Sequence, residues 1–120
     1  MKFEYLDEIT SDQMFRAYGK TLPEVFRHAA MAMFGVMYDL EEISLEKEID
    51  VTAQGSDEEQ LLYDWLSNLL IEFEVEGIFF ADFSIKKIEK TAEGHLQLLG
   101  IGKGNTKMPE LRTHVKGVTF

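Results

Sequence analysis

The sequence predicts an α+β domain: two helices packed on a mostly antiparallel or mixed β-sheet, with residues 1–120 forming one unit. Three observations carry this. Apolar residues recur at helical spacing in two segments, 22–37 and 61–73. Shorter stretches before, between and after them are rich in aromatic and β-branched residues, as strands are. No internal repeat, linker or Ser/Gly-rich tract divides the chain.

The elements follow in order. Residues 3–6 and 14–18 have strand composition with a polar break between them. Thr21 then opens a helix, and Glu24 three residues on completes a capping box. Pro23 is tolerated there because a first-turn residue has no intrahelical use for its N–H. Leu22, Val25, Phe26, Ala29, Ala30, Met33, Phe34 and Met37 share one face, and the run ends near Asp39. His28 lies off that stripe and is expected to be exposed. Residues 46–53 alternate charge with Ile49, Val51 and Ala53, which suits a strand with one wet face. A second helix is expected with Ser56 as N-cap and Glu59 closing the box. Leu61, Leu62, Trp65, Leu66, Leu69, Leu70 and Phe73 form its apolar face, with Trp65 buried against the sheet. Gly77 breaks the pattern. Residues 79, 81, 83 and 85 then alternate inward, with Asp82, Ser84 and Lys86 on the opposite face. A turn at 90–95 leads to a hairpin partner over 95–102. Residues 103–113 read as a polar loop, and His114–Phe120 as a final strand.

Composition limits the function. The chain has no cysteine, which removes disulfides, thiolate metal sites and thiol nucleophiles together. No signal peptide and no membrane-spanning run is present, so a cytoplasmic protein is expected. The formal charge of −10 argues against direct nucleic-acid binding, because phosphate is held mainly by Lys and Arg. The small cluster Lys86, Lys87 and Lys90 does not reverse that field. A protein partner or a cation fits the sign better.

Motifs add little support for catalysis. Residues 100–107, GIGKGNTK, lack the four-residue spacing between glycines of a phosphate loop and read as a strand ending in a flexible loop. His28, His95 and His114 share no ligand spacing. The acidic run 39–48 lacks the glycine and spacing of a calcium loop. No serine sits on a glycine elbow. Asp12 remains, just before a strand. By pattern alone it is more often a solvated residue at a strand's start than a ligand. Yet Asp is depleted in strands, and Thr10 and Ser11 add oxygens that calcium or magnesium would accept beside a second carboxylate.

Three stretches read together resemble the archease family: TSDQMFRAYGKTLPEVFRHAAMAMFGVM, LLYDWLSNLLIEF and VKGVTF. The family pattern is H-T-A-D-x-G before a strand, a turn and a helix, then L-L-x-x-W-L-x-E-L-L, then V-K-A, an aliphatic residue, T, an aromatic residue and H. Thr10 and Asp12 are kept. Ile9 stands for His, Ser11 for Ala, Met14 for Gly, Asn68 for Glu and Gly117 for Ala. The family's His near the start of the loop before the last motif is not evident, and Pro109 lies about there. Archeases continue past that motif to another strand pair and a terminal Asp, which joins the counterpart of Asp12 on a divalent cation. The expectation is therefore one archease-like domain without the last strand pair, carrying half of that metal site.

The resemblance implies a protein cofactor and not an enzyme. Its partner would be the tRNA-splicing RNA ligase, whose active-site histidine is guanylylated by GTP with its help. Asp12 would hold the divalent cation, calcium or magnesium, and Lys116 would be a functional, cofactor-binding contact. The alternative is a chaperone-like module for a tRNA methyltransferase. An enzyme using Asp12 as a base ranks third.

Overall fold

A capping box starts the first helix where the sequence places it. In the computed structural model, which describes residues 2–6 and 14–111 (backbone only for 4–6 and 14–16), the Thr21 hydroxyl accepts from the Glu24 N–H at 3.3 Å. The Glu24 carboxylate reaches back to the Lys20 N–H at 2.6 Å. Helix α1 then runs Leu22–Met37. Before it come β1 (Phe3–Leu6) and β2 (Met14–Ala17), an antiparallel pair closing at Leu6↔Met14. A single 3₁₀ turn, Leu40–Glu42, leads to β3 (Lys47–Gly55), α2 (Glu58–Glu76), β4 (Phe79–Lys90) and β5 (Leu96–Asn105). The last three strands form an antiparallel sheet in the order β3-β5-β4, with both helices on one face. This is the predicted α+β architecture, and every strand pair among the described residues is antiparallel. The expected strand at 114–120 lies outside the described residues.

Four expectations need correction. The N-cap of α2 is Asp57, whose carboxylate accepts from the Gln60 N–H at 2.8 Å. Gln60 in turn takes the Ser56 N–H at 3.2 Å and its hydroxyl at 2.7 Å. A carboxylate is a stronger acceptor than a hydroxyl at a helix's positive end. Next, β4 does not alternate strictly. Bulges at Phe80/Asp82 and Ile85/Lys87 shift the pleat, so Phe80 is fully buried along with Phe83.

Third, the glycine-rich stretch is strand to Asn105, not loop from Lys103. Gly100 and Gly102 face the core, where a Cβ would stand 2.7 Å from the Trp65 ring and 2.5 Å from the Phe80 ring. Their function is to admit large aromatics over the sheet's central strand. Fourth, His28 is buried at 9% exposure, and its Nδ1–H donates to the Tyr18 carbonyl. The cause is that α1 has a second covered flank: it packs on β4 and also on the β1–β2 hairpin.

The core is largely aromatic. Phe34 packs on Phe83 (5.6 Å, stacked), Phe80 (5.4 Å) and Phe73 (5.7 Å). Such pairs each add about 0.5–1.5 kcal/mol beyond area burial. Trp65 is fully buried, as expected from the helix-2 pattern, and its indole N–H donates to the Phe26 carbonyl at 3.2 Å. That bond ties α2 to α1. Gly77, at φ 68°, ends α2 in the left-handed conformation that favours glycine.

Candidate functional site

The β1–β2 hairpin is the element the sequence marks for function, because Asp12 belongs to the segment 7–13 that connects its strands. Asp12 itself lies outside the described residues, and so does Lys116. What is described is how the hairpin is held. Tyr18 N–H donates to the Lys2 carbonyl at 2.7 Å, closing the hairpin at the end opposite its connection. The adjoining Tyr18 carbonyl takes the His28 Nδ1–H, so α1 grips β2 at its exit. A part-buried hydrogen bond of this kind contributes about 0.5–1.5 kcal/mol. His28 thus fixes the exit of β2 against α1.

The opposite flank of α1 is fixed to β4. Arg27 donates from Nε and Nη2 to Asp82 Oδ1 at 3.1 and 2.9 Å, and from Nε to the Phe83 carbonyl at 3.0 Å. Asp82 Oδ1 also accepts from the Phe83 N–H at 2.9 Å, beside the first bulge. Further along α1, the Tyr38 hydroxyl donates to the Phe80 carbonyl at 2.7 Å. Burial pushes that hydroxyl far above the ordinary tyrosine range, so it stays protonated and donating. These contacts set α1, and with it the hairpin, against the sheet.

Neither the Arg27–Asp82 pair nor the His28 bond was expected from the sequence. For His28 a signal existed. Ala32, four residues on, is fully buried yet stands outside the main core cluster, so residues 28 and 32 mark a second stripe of small and polar side chains. Arg27 and Asp82 are 55 residues apart, and nothing local links them.

Chemistry at the described residues is sparse. No three His, Asp or Glu side chains among them are grouped to hold a metal ion. Asp64 and Asn68, one turn apart on α2, are spent on the edge of β3. Asp64 accepts from the Gln54 N–H at 2.8 Å, and Asn68 donates to the Thr52 carbonyl at 2.8 Å. This blunts an edge that would otherwise invite another strand. Two of the three lysines of the 86–90 cluster face carboxylates: Lys86 lies 3.9 Å from Asp50 and Lys87 3.4 Å from Glu89. No described helix is long and apolar enough to cross a membrane. Thr10, Ser11 and Asp12, which the sequence offers as oxygen donors, lie outside the described residues.

This architecture, two helices on an antiparallel sheet with a separate hairpin against the first helix, defines an α+β class that solved structures share. The solution structure of Methanobacterium thermoautotrophicum protein 1598 superimposes with a TM-score of 0.80 at 39% identity, over 98% of this chain and 84% of that one. The model of the archease protein family (MTH1598/TM1083) matches residues 3–120. Protein archease of Methanosarcina mazei is 42% identical over 99% of this chain and 82% of its own length. Protein archease of Pyrococcus furiosus is 37% identical over 94% of this chain and 80% of its own. The chain belongs to the archease family.

Proposed function

We propose that this protein is an accessory factor of the tRNA-splicing RNA ligase, promoting guanylylation of the ligase by GTP, and that it is not itself an enzyme. The observation that carries the reading is membership of the archease family across residues 3–120, with Thr10 and Asp12 of the family's first motif kept. In this reading Asp12 supplies one of the two carboxylates of a calcium or magnesium site, with the Thr10 and Ser11 hydroxyls beside it. Bound there, the ion supplies fixed positive charge against phosphate oxygens. Lys116 contacts the ligase or its nucleotide. The acidic surface keeps the protein off RNA and leaves RNA binding to the ligase.

The test is single-turnover guanylylation of the ligase from the same organism, with radiolabelled GTP and a divalent cation. Adding the protein should raise the rate of label transfer to the ligase. An unchanged rate, together with a rise in the soluble yield of a co-expressed tRNA methyltransferase, would contradict the ligase reading and favour a chaperone-like role.

A further inference from the structure

Helix α2 leaves one face to solvent, and that face is not built as a solvated one. Its outward positions include Ile71 and Val75, which are 53 and 72% exposed. Ile71 and Val75 stand one turn apart, with exposed Glu74 beside them. Scattered exposed apolar residues need no explanation, but large ones aligned on one helix face mark a contact surface.

Charge says what covers it. The helix carries six carboxylates (Glu58, Glu59, Asp64, Glu72, Glu74 and Glu76) and no Lys or Arg. Glu72, Glu74 and Glu76 crowd the C-terminal end, where the helix dipole is negative and a cation would be favoured. Among the described residues no ion pair involves these three. The arrangement opposes the helix's own electrostatics, and a basic partner surface would relieve it. Nucleic acid and anionic membranes are repelled by it. A second copy would set like charges face to face across a two-fold axis. A protein surface with a basic rim around an apolar centre fits both features.

We propose that the outward face of α2, centred on Ile71 and Val75 and bordered by Glu72, Glu74 and Glu76, docks a basic surface of the ligase; this rests on the ligase reading above and assigns the surface it uses. The face belongs to α2, whereas β1 and β2 pack on α1.

The experiment is fluorescence anisotropy of the end-labelled protein titrated with the purified ligase, at low and physiological salt. Ile71→Lys and, separately, the pair Glu74→Lys with Glu76→Lys should each weaken binding by about tenfold or more, and the charge variant should flatten the salt dependence. Val75→Ser gives a milder apolar test should Ile71→Lys disturb the helix, and circular dichroism monitors folding in all three. Wild-type binding that the variants reproduce within about twofold would overturn the docking surface and leave the ligase reading standing. No binding by the wild type would overturn both. A self-association seen by light scattering and abolished by Ile71→Lys would make the face a dimer seam and overturn the assignment.

Discussion

The two helices share one layer but are built for different neighbours. Helix α1 is covered on two flanks, by β4 and by the β1–β2 hairpin, and buries eight of its sixteen residues, three of them alanine. Small side chains let two layers approach one helix. Helix α2 is longer, at nineteen residues, yet buries five, all of them Leu or Trp. It covers the sheet with one face and leaves the other open. A helix clamped from both sides can transmit position to the hairpin it grips, while a helix open on one side can receive a partner. The difference separates the helix that holds the hairpin from the helix that leaves a face to solvent.

The most severe way to break this comparison is at the joint between the helices. Trp65→Ala should cost about 3–5 kcal/mol, because it removes a fully buried ring, its bond to Phe26 and the group that Gly100 makes room for. Urea unfolding measures it, and native Trp65 fluorescence should resist quenching by iodide. Ready quenching would mean that α2 does not lie on the sheet as described.

A smaller effect sharpens the claim that α1 has a second buried flank. Ala32→Leu should destabilise by about 1–3 kcal/mol through overpacking, with faster amide exchange in β1 and β2. A neutral outcome would mean that the hairpin is loosely seated. The smallest effect concerns the edge of β3. Asn68→Ala should cost about 0.5–1.5 kcal/mol for its bond to the Thr52 carbonyl and raise exchange locally in β3. No change in that exchange would show that water serves the carbonyl equally well.

Much of this organisation was legible in the residues. Thr21 with Glu24 fixed the start of α1, and the leucine stripe around Trp65 gave the buried face of α2. What escaped was set by tertiary contact. The β4 bulges exist because Phe80 and Phe83 both turn inward opposite the glycines of β5, and a one-strand pattern cannot show which partner residue lacks a side chain. The burial of His28 depends on a hairpin carbonyl ten residues upstream. The N-cap of α2 fell on Asp57, one residue past the expected Ser56, because a carboxylate is the stronger acceptor at a helix's positive end. Of the candidate site, the sequence singled out Asp12 and Lys116, both outside the described residues, so their standing rests on the family pattern.

We propose that this protein activates a ligase through Asp12 and binds it through the outward face of α2. The most direct test measures ligase guanylylation against increasing concentrations of wild-type protein, Asp12→Ala and Ile71→Lys. Asp12→Ala, a change in a connection expected to alter stability within about 0.5 kcal/mol, should lose the maximal acceleration while still competing with the wild type for the ligase. Ile71→Lys should reach the same maximum at about tenfold higher concentration. Full acceleration by folded Asp12→Ala, or no acceleration by the wild type at any concentration, would contradict the account.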